Sequence, residues 1–318
     1  MQQQLVTVIC LCYNHERFVK EAIESVFQQT YPFIQLIVVD DASSDNSVTV
    51  IRDLLKDHPD VPFISLKENV GNCKAFNKAL PLVKGDFIVD LAADDVMASD
   101  RIEQQVSFFE LAGKEAGVIF TDATYINADG EDIAHHYEYL FRKGMIVHVP
   151  QGDVFSDVLK RYFISSPTMM IRREVMDKLK GYDEELTYED FDLWVRASRE
   201  YLFSFLNKRL TKVRKLTTSM SAGWYKKGDP QLLSTYKVCL KARKLLQNDG
   251  EKNALILRVS YELRQAVFSE NFTEAGLFYG LLRELKKASL LDKFYFLLIK
   301  LRLPLSGIRK LYQYLRYS

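Results

Sequence analysis

The chain has 318 residues, of which 47% are apolar and 12% aromatic, and this composition excludes an intrinsically disordered protein. The 43 basic and 42 acidic residues nearly cancel, which argues against a general nucleic-acid binder. The charge is nevertheless uneven, because residues 226–318 carry 18 basic and 8 acidic residues whereas residues 1–225 have an acidic excess. We therefore predict two regions, 1–225 and 226–318, with different partners.

Strand and helix patterns alternate over the first 121 residues. Strands are predicted at 5–11, 34–39, 63–66, 86–90 and 118–121, and helices at 17–29, 44–55, 72–83 and 99–111. We expect Ser44 or Asp45 to cap the second helix and Ser99 to cap the fourth. The alternation predicts an α/β fold with a mainly parallel, Rossmann-like sheet flanked by helices. Such sheets bind ligands at the carboxyl ends of their strands.

The alternation stops after residue 122. A turn at 127–130 precedes irregular chain or a hairpin over 131–152. Helices are predicted at 154–162, 173–179 and 187–198, the last capped by Thr187, and strands at 168–171, 201–206 and 210–214, the last two at a sheet edge. From Asp229 the pattern is helical, with breaks at 248–250, near Asn271 and at Pro304. We therefore predict an α-helical C-terminal region.

The sequence lacks targeting and cysteine motifs. No apolar run approaches the roughly 18 residues that span a bilayer, and the first residues lack the basic start of a signal peptide. The cysteines, at positions 10, 12, 73 and 239, have no CxxC spacing, and the histidines form no zinc motif. We expect buried, reduced cysteines in a cytoplasmic protein.

Two acidic pairs follow predicted strands. Asp40 and Asp41 follow the second strand, where carboxylates accept hydrogen bonds from a base or sugar, or else form a turn that caps the next helix. Asp94 and Asp95 follow the fourth strand. Because adjacent carboxylates repel, a hard cation such as Mg²⁺ or Mn²⁺ is a natural partner for them, although acids also suit a helix entry. The position directly after a buried strand favours the metal interpretation.

A third acidic group comprises Glu189, Asp190 and Asp192, in the first turn of a predicted helix. Acids are common at helix N-termini, so the position alone does not distinguish a structural role from that of a general base. The chain has no Walker motif, no GxGxxG after its first strand and no GxSxG elbow. Classical dinucleotide binding and a hydrolase triad are therefore unsupported.

These motifs, taken together, are similar to those of a known family. The sequence resembles the family-2 glycosyltransferases with the GT-A fold, in segments 6–14, 22–31, 38–45, 69–77, 85–95 and 181–194, which stand in that family's order within residues 5–221. The resemblance implies transfer of a sugar from a nucleotide diphosphate to an acceptor hydroxyl, commonly with inversion at the anomeric carbon. It predicts a catalytic domain over 1–225 and leaves 226–318 as a basic helical region.

The resemblance also implies roles for individual residues. Leu11, Tyr13 and Glu16 would line the nucleotide pocket, and Asp41, with Asp40 beside it, would contact uracil or its equivalent. Asp94 would bind the divalent metal, Mn²⁺ or Mg²⁺, on the donor diphosphate, supported by Asp95. Asp190 would deprotonate the acceptor, tuned by Glu189, while Trp194 would help to shape the acceptor side.

Three positions depart from the family's pattern. The first Asp of the usual DxD is Ala92, and a frequent Arg is Phe76, so Lys74 would have to serve the phosphates. In the downstream segment 213–221, which includes Ser219 and Ser221, Leu216 replaces a frequent His. Arg214 and Lys215 could still face the diphosphate. These departures leave open an alternative, a degenerate homologue that binds a nucleotide sugar as the non-catalytic partner of a glycan assembly complex.

Residues 280–318 carry nine basic and two acidic residues interleaved with leucines and aromatics. Basic amphipathic helices lie in anionic membrane interfaces, although a helical cap with a solvated basic face has the same composition. We expect an enzyme of surface polysaccharide or glycolipid synthesis, with a UDP-sugar donor and a glycan or lipid-linked acceptor. It would be cytoplasmic, with a peripheral contact on the inner face of the cell membrane, and would bind no nucleic acid.

Overall fold

The strands of the chain form one mixed sheet. The computed structural model describes residues 4–216 and 225–305. Within them the strands are β1 (Val6–Cys12), β2 (Ile34–Asp40), β3 (Phe63–Ser65), β4 (Phe87–Ala92), β5 (Val96–Met97), β6 (Ala116–Ile126), β7 (Asp132–His135), β8 (Met170–Arg172) and β9 (Leu202–Arg214). Their order is β3-β2-β1-β4-β8-β6-β9-β5, and β7 pairs with β6.

Helices follow most of the strands, and the described part of the chain after β9 is helical. They are α1 (Val19–Phe27), α2 (Ser47–Leu54), α3 (Asn72–Ala79), α4 (Arg101–Ala112), α5 (His136–Arg142), α6 (Phe155–Lys160), α7 (Arg173–Leu179), α8 (Asp190–Ala197), α9 (Pro230–Leu245), α10 (Asp249–Phe268), α11 (Phe272–Leu285) and α12 (Leu290–Leu301). Among the described residues, no helix is both long enough and apolar enough to cross a membrane.

The register of three parallel strands positions the acidic pairs. Strand β1 is buried along its whole length, as is typical of a parallel strand covered on both faces. It pairs with β2 and β4 on its two sides, so that Cys12 lies opposite Asp40 while Leu11 lies opposite Ala92. The chain segments that leave β2 and β4 therefore start on either side of the carboxyl end of β1.

The chain divides into two compact units. One contains residues 4–154, 163–184 and 196–216 of the described chain, including the whole sheet; the other contains 155–162, 185–195 and 225–305. Two short segments of the predicted catalytic domain thus cluster with the C-terminal helices. The boundary predicted at residues 225/226 stays a prediction, since residues 217–224 lie outside the described part of the chain.

The first four predicted strands are confirmed, and the sheet they form is parallel. The fifth, now β6, does not pair with β4, because β8 inserts between them antiparallel to both. The two predicted edge strands are one bulged strand, β9, which pairs with β6 and β5. Helix α5 lies in the segment predicted to be irregular or a hairpin, and the hairpin itself is formed by β6 and β7.

The helix starts were the least accurate predictions. Helix α2 begins at Ser47, and the Asp45 carboxylate accepts hydrogen bonds from the Ser47 amide and hydroxyl. Helix α4 begins at Arg101, two residues after the expected cap. Helix α8 begins at Asp190, so Thr187 does not cap it; the Thr187 amide donates to Ser234 Oγ instead. The breaks between the C-terminal helices and the four buried, free cysteines are as predicted.

Gly85, just before β4, lies close to the backbone at the start of β1, and a substitution there tests how tightly the two segments pack. A Cβ atom there would lie 2.6 Å from the Thr7 amide nitrogen and 2.8 Å from the Leu5 carbonyl oxygen, and backbone cannot move aside cheaply. We expect Gly85→Ala to lower the free energy of unfolding by about 1–3 kcal/mol in urea titrations. Gly276→Ala on α11, where nothing lies within 4 Å, should instead raise it by about 0.5–1 kcal/mol. Equal effects of the two variants would contradict this account.

Candidate active site

The Asp40–Asp41 pair is built into two turns of the first unit. Asp40 is fully buried and accepts hydrogen bonds from the Ser43 amide and hydroxyl. The two oxygens of Asp41 accept from the Val70 and Gly71 amides at 2.8 and 2.9 Å. Asp40 thus shapes the turn after β2, whereas Asp41 fixes the loop that leads into α3. Lys74 lies exposed in the first turn of that helix.

The loop after β1 is tied to the loop after β2. The Glu16 carboxylate accepts from the amide and side chain of Asn46, and the Glu16 amide donates to Asp45. Asn14, in the left-handed region with φ 57°, accepts from the Ser44 amide. Tyr13 stands out from this frame with 46% of its surface exposed, whereas Leu11 is buried. Of the predicted nucleotide contacts around β1, Tyr13 and Glu16 are thus exposed, whereas Leu11 is not.

The Asp94–Asp95 pair is asymmetric. Asp95 is buried, and its Oδ1 accepts from the Arg214 amide at 2.8 Å. Burial, followed by the neighbouring Asp94 carboxylate, raises the pKa of Asp95 well above its ordinary value. Asp94 keeps 13% of its side chain exposed, and its Oδ2 lies 3.9 Å from His15 Nε2. Asp94 is therefore the member of the pair that a ligand can reach.

The arrangement around Asp94 suits a cation that brings most of its own ligands. Among the described residues no group of three or more His, Cys, Asp or Glu side chains is placed to hold a metal ion. Mg²⁺ and Mn²⁺ are commonly held by one or two carboxylates, with phosphate oxygens and water completing the shell. An accessible carboxylate beside a buried one fits this type of site, because added positive charge offsets their repulsion.

Arg214 plays a role that sequence reasoning missed. Its guanidinium is buried and donates to the carbonyls of Asp94, Asn127 and Ala128. It also pairs with Glu21 at 2.7 Å, and its Cζ lies 4.5 Å from the centre of the Phe18 ring. These contacts hold the turn after β4 in place and direct the guanidinium into the protein rather than toward a diphosphate. Lys215 is exposed, with Nζ 4.2 Å from the Tyr125 ring. Ser219 and Ser221 lie outside the described residues.

A part-buried carboxyl–phenol pair lies two residues before Ala92 in the sequence of β4. Asp90 lies on the same face of β4 as Ala92, and its Oδ2 accepts from the Tyr182 hydroxyl at 2.9 Å. The Tyr182 ring packs against Phe76 with the ring centres 4.3 Å apart. Burial raises the pKa of Asp90 to about 7, although the hydrogen bond from Tyr182 opposes the shift. The Asp and Arg that are usual in the family are thus replaced here by Ala92 and Phe76. A carboxyl is instead supplied by Asp90, two residues earlier on the same face of β4.

The three acids at the start of α8, in the second unit, are distinguished by their burial and their partners. Asp192 is 1% exposed and pairs with Lys241 at 2.6 Å, so it is structural. Glu189 and Asp190 are half-buried, and Asp190 Oδ1 accepts from the Phe191 amide at the helix start. Trp194 is buried, and its ring centre lies 5.6 Å from that of Tyr162. Of the three acids, Asp190 and Glu189 are thus the two that remain partly exposed to solvent and to a substrate.

A polar network under α8 also escaped sequence reasoning. Arg258 pairs with Glu262 at 3.0 Å, donates to the Leu159 carbonyl and lies over the Tyr162 and Phe191 rings. The Tyr188 hydroxyl lies 2.6 Å from Thr235 Oγ1. These contacts tie the start of α8 to α9 and α10. The sequence signal was weak, because the partners lie about 50–100 residues apart.

Asp90 makes the stability of the protein depend on pH. Because its pKa is about 7 in the fold against an ordinary value of 3.8, its stabilising contribution is complete below pH 4 and declines as the pH rises to 7. Asp90→Asn cannot ionise, so it should gain stability relative to the native chain over that interval, by on the order of 2–4 kcal/mol. Urea titrations at a series of pH values in EDTA measure this. Parallel pH curves for the two proteins would contradict it.

Comparisons with known proteins find relatives that are glycosyltransferases. A family model for glycosyl transferase family 2 matches residues 7–180. An uncharacterized glycosyltransferase of Methanocaldococcus jannaschii is 29% identical over 67% of this chain and 72% of its own length. A putative teichuronic acid biosynthesis glycosyltransferase of Bacillus subtilis, TuaG, is 26% identical over 70% of this chain and 83% of its own.

Two solved structures share the fold. S. aureus TarS 1–349 in complex with UDP-GlcNAc is 17% identical, with a TM-score of 0.64 over 88% of this chain and 80% of that one. The mannosyltransferase PcManGT from Pyrobaculum calidifontis, in complex with GDP-Man and Mn²⁺, is 18% identical, with a TM-score of 0.59 over 92% and 78%. The predicted GT-A fold with a helical C-terminal region is confirmed. The roles assigned to individual residues stay predictions.

Proposed function

The chain belongs to glycosyl transferase family 2, and we propose that it is an inverting enzyme that moves a sugar from a UDP-sugar to an acceptor hydroxyl. The expectation that it is a glycosyltransferase is itself confirmed by the family and by its relatives. The acceptor we propose is a glycan or a lipid-linked glycan in surface polysaccharide or glycolipid synthesis. The teichuronic acid assignment of the B. subtilis relative and the UDP-GlcNAc bound by TarS support this choice.

The donor site we propose lies at the carboxyl end of β1. The exposed Tyr13 and the loop of Glu16, which hydrogen bonds hold to the loop after β2, would bind the nucleotide. Leu11 would line the same pocket. Asp41 would contact the base, held in place by its bonds to the loop before α3 and with Asp40 shaping the turn behind it. Lys74, exposed at the start of α3, is the cation we assign to the phosphates. The single observation that carries this proposal is the partly accessible Asp94 carboxylate at the same strand edge.

A divalent cation, Mn²⁺ or Mg²⁺, would be held by Asp94 together with the donor diphosphate, and it would offset the charge that gathers on the leaving group. The Mn²⁺ bound with GDP-Man in the mannosyltransferase supports this. Asp95 would support Asp94 from beneath. Arg214 would act indirectly, because it fixes the Asp94 carbonyl and donates its backbone amide to Asp95.

We propose Asp190 as the general base. The acceptor oxygen would form a bond to the anomeric carbon on the face opposite the diphosphate, the bond between carbon and diphosphate would break, and the acceptor proton would pass to Asp190. Asp190 is a better candidate than Asp192, whose carboxylate is buried against Lys241. Glu189 would tune the base, and Trp194 would shape the acceptor side by holding Tyr162 and α8 in position.

The alternative is a degenerate homologue that binds the nucleotide sugar without transferring it. Ala92 in place of the usual first Asp is the observation that favours it. The two functions differ in turnover and not in donor binding, so both must be measured. We also propose a peripheral contact of the basic C-terminal helices with the inner, anionic face of the cell membrane.

Donor binding is tested by thermal shift with UDP, GDP, CDP and dTDP, each with and without Mn²⁺. We expect UDP with Mn²⁺ to raise the melting temperature most, because a ligand of the native state stabilises it by mass action. Asp94→Asn should remove the additional rise in melting temperature that Mn²⁺ causes with UDP. This corresponds to a loss of at least about tenfold in the affinity for UDP with Mn²⁺. Asp53→Asn, an exposed carboxylate on α2, is the matched control. A Mn²⁺ increment that survives in Asp94→Asn would refute the metal assignment.

The base is tested by Asp190→Asn. General-base catalysis contributes about 10²–10⁴-fold, so turnover with a UDP-sugar and acceptor extract should fall by that factor while UDP binding is retained. Glu185→Gln removes a neighbouring carboxylate that is exposed and pairs with Lys237, and it should leave turnover unchanged. Full turnover in Asp190→Asn would rule out its role as base. Binding without turnover in the native chain would favour the degenerate homologue.

A further inference from the structure

Helix α12 has two apolar faces, and one of them is buried in the second unit. Tyr295 and Leu298 are buried, and the Phe296 ring stacks on Tyr279 with the ring centres 4.5 Å apart. The helix start is fixed by a capping box between Ser289 and Asp292. Asp292 also pairs with Lys286 at 2.9 Å. The buried face and the cap together set the rotation of α12 about its axis, so its other face is held outward.

The outward face is a stripe of large apolar side chains. It consists of Leu290, Phe294, Leu297 and Leu301, whose spacings of four, three and four residues place them along one side of a helix. They are 85%, 53%, 51% and 56% exposed, and Leu291 beside them is 57% exposed. A contiguous apolar stripe of this kind, unlike a single exposed apolar side chain, marks an interaction site.

Positive charge borders the stripe. Lys293 and Lys300 are exposed along one side of it, and Arg302 follows its end. The one acid between residues 286 and 302, Asp292, is buried and already paired. The stripe is therefore flanked by basic groups, with no acidic group exposed on α12. Residues 306–318, outside the described residues, add three basic residues and no acid to the sequence.

We propose that the Leu290–Leu301 stripe of α12 is the surface that binds an anionic membrane. Its leucines and phenylalanine would enter the boundary between headgroups and acyl chains, and Lys293 and Lys300 would meet lipid phosphates. The spacing of the stripe also suits a coiled-coil seam. A second copy of α12, however, would bring lysines against lysines with no exposed acid to pair them, and this repulsion disfavours self-association.

This assignment rests on the proposed membrane contact and not on sugar transfer. It is tested with full-length protein and no donor or acceptor, by co-sedimentation with phosphatidylcholine vesicles with or without phosphatidylglycerol. We expect binding to the anionic vesicles, weakened by salt, and little to the neutral ones. Leu297→Glu should lower partitioning onto anionic vesicles at least about tenfold, since a buried leucine contributes about that factor. Leu257→Glu, at an exposed leucine of α10, makes the same change elsewhere and should have little effect.

A charge variant separates the basic contribution from the apolar one. Lys293→Gln with Lys300→Gln should lower binding to anionic vesicles about tenfold and leave the weak binding to neutral vesicles unchanged. Thermal shift with UDP checks that each variant is folded, and it reports on the donor site independently of the vesicle result. Unchanged sedimentation of Leu297→Glu would overturn the proposal. So would a native dimer in light scattering that Leu297→Glu converts to monomer, because the stripe would then join two copies.

Discussion

The acidic edge of the first unit depends on one buried guanidinium. A buried charge is stable only when its donors are matched by acceptors, and Arg214 meets this requirement with three carbonyls and the Glu21 carboxylate. In doing so it joins α1, the turn after β4 and the turn between β6 and β7. The backbone amide of the same residue holds Asp95. The exposure of Asp94, on which the proposed donor chemistry rests, therefore follows from contacts made some 120 residues away in sequence.

The parts of the fold that could be predicted are those determined by local patterns. Apolar runs and helical spacing located β1, β2, β4 and the C-terminal helices, because burial on both faces of a strand and on one face of a helix leaves a periodic signal. The insertion of β8 between β4 and β6 left none, because three residues carry too little pattern to specify a pairing partner. The helix starts were displaced because Asp45 closes a turn before α2, and because Asp100 rather than Ser99 is the residue directly before α4.

Local sequence patterns predicted even less about the candidate site. The sequence indicates where carboxylates follow strands or begin a helix, but a carboxylate is made structural or accessible by its partner. Asp192 is sequestered by Lys241, 49 residues away, while Asp190 two positions earlier keeps its surface. Asp40 closes a local turn, whereas Asp41 reaches a loop 29 residues further on. Such distinctions arise from the fold and not from spacing, and so they could not be predicted.

The discontinuous second unit bears on how enzymes of this kind diversify. Asp190 belongs to the same compact unit as α9–α12, although 185–195 lies far from those helices in sequence. Recombination at a single point near residue 225 would import new C-terminal helices without the segments 155–162 and 185–195 that pack with them. Tyr162 would then lose the Arg258–Glu262 pair against which it packs and would meet foreign residues instead. We therefore expect the three segments of this unit to change together by point substitutions during evolution. Exchange of the C-terminal helices as one block should be rare.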